Sequence, residues 1–136
     1  MELKENEVKT IIDTLKSKIP NILAIYIFGS FADCSATDES DIDIAYLSEC
    51  SLSNVERWEV SADLAAILKR DVDLVDLKSS NTIFRYQILS TGNRVYGSGY
   101  EVESFETLAY SFYLRFKQER KPIEDAIREN KTVLGS

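Results

Sequence analysis

At 136 residues and 15.5 kDa the chain suits one domain with a real core and is short for two. Hydrophobic residues make up 44% and charged residues 29%, the balance of a soluble globular protein, while 16 Lys and Arg against 23 Asp and Glu leave a net charge of −7. That sign gives no general electrostatic reason to bind nucleic acid or an anionic membrane, and the absence of histidine excludes Ser-His-Asp and Cys-His hydrolases, His-ligated zinc and His-based acid/base chemistry.

The first predicted element is an amphipathic helix from Glu5 to Lys18, with Val8, Ile11, Ile12, Leu15 and Ile19 at helical spacing. Pro20 ends it. Ile22 to Phe28 is a continuous run of β-formers stopped by Gly29, which suits a strand buried on both faces. A short helical stretch is expected after Gly29-Ser30. From Ser40 to Leu47, Asp41 and Asp43 alternate with Ile42 and Ile44, so a strand here carries both acids on one face. A helix follows from Asn54, its expected N-cap, to about Arg70, with Val55, Trp58, Ala62, Ala65 and Leu68 as its buried stripe.

Asp71 to Leu77 reads as another strand, with Asp71, Asp73, Val75 and Leu77 on one face and Val72, Leu74 and Asp76 on the other. Ser80 or Asn81 caps a short helix through Leu89, closed by Thr91-Gly92, and Arg94 to Tyr96 adds a small edge strand. From Glu101 to about Asn130 the chain is helical, with Val102, Phe105, Ala109, Phe112 and Phe116 on one side and Pro122 as a break. Strands alternating with helices imply a single α/β domain. Residues 1–100 are expected to form its core, and 101–136 a C-terminal helical segment packed on the same domain. MELKENEVKT carries no leader pattern, and no apolar run reaches the length of a membrane span. A cytoplasmic protein is expected.

Three features carry candidate chemistry. A strand ending in Gly29-Ser30 and turning into a helical stretch presents backbone N–H groups to a phosphate. Asp41 and Asp43 lie roughly 6.6–7 Å apart along a strand, and carboxylates there can converge on divalent ions about 3.5–4 Å apart. Hard cations such as Mg²⁺ prefer carboxylate oxygen. An Asp within DVDLVDL is costly among buried β-formers unless something positive meets it. Beside SDIDI, Asp73 completes a three-carboxylate cluster, with Asp71 as the fallback, while Asp71 and Asp76 near the strand ends are expected to be solvated. Each feature alone is common, and the bland alternatives are an ordinary turn and an acidic, solubilising strand face.

In combination they are specific. Gly29-Ser30, ten intervening residues, Asp41-Ile42-Asp43 and a later isolated Asp reproduce the G-S-x10-D-x-D pattern of the nucleotidyltransferase superfamily. The stretch FGSFADCSATDESDIDIAYL, including Ser40 before the first Asp, resembles the minimal nucleotidyltransferases, and Val72 to Leu77 looks like their third-carboxylate strand. The resemblance covers Asn21 to Leu77, extends loosely to Tyr100, and finds no motif in the C-terminal helix. It implies a nucleotidyltransferase fold, a small mixed β-sheet flanked by helices with the metal site at one sheet edge. It further implies nucleotide-phosphate binding by Gly29 and Ser30, and Mg²⁺ ligation by Asp41, Asp43 and Asp73, with two ions and with Asp73 activating the attacking hydroxyl.

A stand-alone domain of this size is most similar to the antitoxins paired with HEPN-type RNase toxins. That likeness implies transfer of AMP from ATP to a toxin tyrosine, a hetero-oligomer with the toxin, and no direct nucleic-acid or membrane partner. The rivals are an antitoxin acting by contact alone and a small-molecule nucleotidyltransferase. Lys69, Arg70, Arg85 and Arg94 are candidate ATP-phosphate contacts or simply solvated charges. Tyr110 and Tyr113 belong either to the core or to a toxin-binding surface. Cys34 and Cys50 are too few for a zinc site, and Cys34 is expected to fill space.

Overall fold

The computed structural model describes residues 3–32, 35–37 and 39–135, with side chains through 118; the expectation for Cys34 lies outside these residues. Helix α1 spans Glu5–Lys18, as its periodicity predicts, and buries Ile11 and Leu15. Each such fully buried aliphatic side chain contributes roughly 1.5–3 kcal/mol. Strand β1 (Ile22–Phe28) leads into one 3₁₀ turn, Gly29–Phe31. Strand β2 (Ile42–Ser48), helix α2 (Asn54–Leu68) and strand β3 (Val72–Asp76) follow. After a second 3₁₀ turn come helix α3 (Thr82–Thr91), strand β4 (Asn93–Tyr96) and helix α4 (Tyr100–Gly135).

The four strands form one mixed sheet in the order β3-β2-β1-β4. Strand β1 is antiparallel to both neighbours, whereas β2 and β3 run parallel, joined by α2 because a parallel pair needs a long crossover. One face, with Ile25, Ile27, Ile42, Ile44, Tyr46 and Leu74, packs under α1 and α2. The other, with Ala24, Tyr26, Ala45 and Leu47, packs under Ile88 of α3 and Val102 of α4. The alternation in SDIDI thus places Asp41, Asp43 and Asp73 on the α3/α4 side.

Several expectations are corrected. The N-cap of α2 is Ser53, which accepts from Glu56 N–H at 3.1 Å while its own N–H faces Glu56 Oε1 at 3.4 Å, the reciprocal box that starts a helix. Val60 and Leu64 form the buried stripe of α2, and Trp58 is 69% exposed, because the helix lies over the sheet margin with no strand among the described residues beyond β3 to cover its outer side. Asp76 is buried rather than solvated; it accepts from Lys78 N–H at 3.0 Å and Ser79 Oγ at 3.2 Å, closing the second 3₁₀ turn. Helix α4 continues through Pro122, since one proline removes a single i→i−4 bond while those on either side persist.

The aromatics of α4 divide. Tyr110 donates to Leu89 O at 3.1 Å and Tyr113 stacks on Tyr86 at 3.7 Å, so both pack against α3. Phe112, expected on the buried side, is exposed. Tyr26 donates to Glu106 Oε1 at 2.7 Å, and the same carboxylate pairs with Arg94 at 3.2 Å, tying the sheet to α4. Among the described residues no helix is long and apolar enough to cross a membrane.

Tyr46 is fully buried, and its hydroxyl has no hydrogen-bond partner among the described residues. Stranding a polar atom this way costs about 1–3 kcal/mol. Tyr46→Phe keeps the ring and is expected to raise unfolding free energy by about 1 kcal/mol. Burial, with Asp76 adding to it, pushes the Tyr46 hydroxyl up to about 12. A raised folded value favours the native state below the unfolded pKa near 10, and that contribution is lost as pH rises through 12. Denaturant melts should therefore show the advantage of the variant widening between pH 10 and 12.

Candidate active site

Three strand ends meet at one side of the sheet. Cross-strand register aligns Phe28 of β1 with Asp43 of β2, and Asp43 with Asp73 of β3. The row therefore reads Phe28, Asp43, Asp73, with Gly29 one residue beyond Phe28 and Asp41 two residues before Asp43. Sequence spacing alone put Asp41 and Asp43 on one face; β-pairing adds Asp73 and the Gly-Ser turn.

Gly29 has φ +70°, a left-handed conformation that side chains disfavour. A Cβ there would also overlap Asp43 Oδ2. Glycine is thus required twice, by the turn and by the carboxylate lying against it. The helix expected after Ser30 is only the 3₁₀ turn Gly29–Phe31, too short to sum a macrodipole. What the turn offers a phosphate is its loop amides and the half-buried Ser30 hydroxyl. The chain then folds back, with Ser35 N–H and Ala36 N–H donating to Ser30 O at 3.1 and 3.2 Å.

Asp41 is held from both sides. Thr37 N–H donates to Ser40 Oγ at 2.8 Å, Ser40 N–H to Thr37 O at 3.1 Å, and Ile42 N–H to Asp71 O at 2.9 Å. Arg70 reaches across to Thr37 O at 3.2 Å and Ser40 O at 3.4 Å and lies 5.3 Å over the Phe31 ring. Arg70 therefore anchors the loop that presents Asp41. Arg85 is likewise engaged, donating to the carbonyls of Leu77, Lys78 and Ser80, and Arg94 pairs with Glu106. Only Lys69 of the four cations considered from sequence stands exposed at the edge of this region, beside Ser40, Asp41 and Asp71.

Burial raises the Asp43 carboxyl above its ordinary value, and the charges of Asp73 and then Asp41 push it further. The neighbours thus act on Asp43 from both sides. Among the described residues no three acidic or cysteine side chains stand placed to share one ion; Asp43 lies between Asp73, its register partner on β3, and Asp41, two residues earlier. The donor set still fits a hard divalent cation: every candidate ligand is carboxylate oxygen, and the repulsion at Asp43 is of the kind a cation offsets.

The profile of the family described as Polymerase beta, Nucleotidyltransferase matches residues 9–101, which include every group of this site. The chain belongs to that nucleotidyltransferase family. It is 38% identical over 129 residues to protein adenylyltransferase MntA of Shewanella oneidensis, covering 95% of this chain and 91% of that protein. A chain in the crystal structure of a toxin–antitoxin with AMP-PNP superposes with a TM-score of 0.82 at 38% identity, covering 93% of this chain and 99% of that one. Another, from the complex of a tri-AMPylated Shewanella oneidensis HEPN toxin with an MNT antitoxin, superposes with a TM-score of 0.78 at 35% identity, covering 93% and 99%. The family match spans α1 to the start of α4 and so contains the whole sheet that aligns the site. Sequence reasoning missed the anchoring by Arg70 and the exposure of Trp58, because no residue pattern marks either.

Proposed function

We propose that this chain is an antitoxin that transfers AMP from ATP to a tyrosine hydroxyl of a cognate HEPN RNase toxin, silencing it in the cytoplasm. The observation that carries this reading is the alignment in which the Gly29-Ser30 turn that follows β1 and Asp73 on β3 flank Asp43, in a chain 38% identical to an adenylyltransferase over nearly its whole length. Residues 1–100 act as the catalytic core, and 101–136 as a helical segment on the same domain. The loop amides of Gly29 and Ser30 bind the triphosphate. Asp41, Asp43 and Asp73 hold Mg²⁺, which when bound neutralises charge on the phosphates and favours the ionised phenol. Asp73, the exposed outer carboxylate, orients the tyrosine hydroxyl and accepts its proton, since a phenol with pKa near 10 needs help to ionise at neutral pH. The phenolic oxygen bonds to the α-phosphorus, the bond to the β-phosphate bridge breaks, and pyrophosphate leaves with the electron pair.

The decisive experiment is intact-mass spectrometry of the adjacent-gene protein after incubation with this chain, ATP and Mg²⁺. Gain of one or more AMP units supports transfer. A stable complex that blocks RNase activity with no mass gain means neutralisation by contact. No mass gain and no inhibitory complex would point to small hydroxyl-bearing acceptors. Within this reading Arg70 is a positioning residue. Arg70→Ala is expected to lower AMP transfer about tenfold and stability by about 1–2 kcal/mol. Arg70→Lys should not restore the rate, because one ammonium cannot reproduce the planar contact with two carbonyls and the Phe31 ring. Transfer kinetics alongside thermal melts check both.

A further inference from the structure

Beside the carboxylate row lies an open groove of about 480 Å³, lined by Arg57, Trp58, Ala62 and Ala65 of α2 and by Val72 and Asp73 of β3. Its lining mixes apolar groups with the polar Ser61, Asp71 and Asp73, and Trp58 stands 69% exposed at its side. Strand β3 is the outer strand of the sheet. Because Asp71 O accepts from Ile42 N–H of β2, the backbone groups of Asp71 and Asp73 face inward and those of Val72 and Leu74 face out, where no strand among the described residues pairs with them. An unused strand edge beside a pocket with an aromatic wall is what an extended peptide needs for main-chain pairing and side-chain anchoring.

The sheet order says which substrate belongs here. Gly29 and Ser30 approach Asp43 from β1, on one side, and Asp73 approaches it from β3, on the other. In-line displacement at phosphorus needs attacking and leaving oxygens on opposite sides. A triphosphate held on the β1 side leaves the β3 side for the attacking hydroxyl. The acids Asp71 and Asp73 at this end of the groove favour basic residues in whatever enters it.

We infer that the partner segment bearing the acceptor tyrosine docks as an added strand on the outer edge of β3, flanked by basic residues, with Trp58 packed over it and its hydroxyl delivered to Asp73. This rests on AMP transfer to a tyrosine. Two variants test it: Trp58→Ala, which removes an exposed anchor, and Ala62→Trp, which fills the groove, each checked for a native thermal melt. With the cognate toxin as acceptor, both are expected to raise its KM about tenfold while the affinity for AMP-PNP stays at the wild-type value. An unchanged toxin KM in both overturns the docking mode. So does weakened AMP-PNP binding in Trp58→Ala, which would assign the groove to the nucleotide. A benzophenone amino acid in place of Trp58 gives a readout independent of catalysis. In the toxin complex it is expected to cross-link to a tyrosine-bearing toxin segment, and cross-links to any other toxin region or to a second copy of this chain overturn the inference. Absence of AMP transfer by the wild-type chain would instead overturn the reading of the reaction, leaving the cross-link to decide the docking.

Discussion

Asp41→Asn combined with Asp43→Asn is expected to reduce AMP transfer by at least about 10³-fold, or about 4 kcal/mol of barrier, with no loss of thermal stability. Two observations drive the second half of that statement. Asp43 is pushed up by burial and by the charges of Asp73 and Asp41, so neutralising it in the cation-free protein removes a repulsion rather than a favourable pair. Asp41 is exposed, and its backbone neighbours, not its carboxylate, tie it into the loop. A raised folded value means that the Asp43 contribution to stability is fully present below the unfolded pKa near 4 and is lost as pH rises through the higher folded value. Wild-type protein in chelator should thus gain stability relative to Asp43→Asn as the pH falls from neutral through that window. Added Mg²⁺ should raise the melting temperature of the wild type and leave that of the double variant unmoved. Full transfer by the double variant would remove the metal assignment.

Gly29→Ala carries the second large effect. The added methyl must occupy a left-handed backbone position, costing about 1–2 kcal/mol, and must also displace the Asp43 carboxylate that lies where the methyl would go. Both penalties act on the same few atoms, so the loop amides and Asp43 cannot keep their present relation. Transfer is expected to fall at least about 100-fold, with a melting temperature below wild type. The contrast with the double Asn variant is diagnostic: one loses activity without losing stability, the other loses both. If Gly29→Ala retained wild-type kinetics, close contact between the turn and Asp43 would not matter to the reaction.

Much of the fold was legible because its elements carry local periodicity. The spacing of Val8, Ile11, Leu15 and Ile19 predicts α1 to its observed ends, and the apolar run from Ile22 to Phe28 predicts β1. A cap at Ser80 or Asn81, of which Asn81 takes the position, the short strand at Arg94 to Tyr96 and the acidic alternation around Ile42 were equally visible. The expectations that failed concern surroundings. Trp58 has the spacing of a buried residue, yet helix propensity and spacing do not say where a sheet ends. Asp76 looked like a solvated strand end, but local turn bonds give its carboxylate partners inside. Tyr110 and Tyr113 have a role decided by α3, a separate element whose Tyr86 receives them.

For the site, the sequence by itself determined the chemical vocabulary: no histidine, a Gly-Ser turn, and two acids sent to one strand face by a period of two. Only the tertiary structure decided that Asp73 stands across from Asp43, that the Asp43 carboxylate fills the space at Gly29, and that Arg70 anchors the intervening loop. The physical reason is reach. Side-chain direction along one strand follows from backbone geometry within a few residues, whereas contacts between residues 29, 43 and 73 depend on strand order and register, which the packing of the whole core selects.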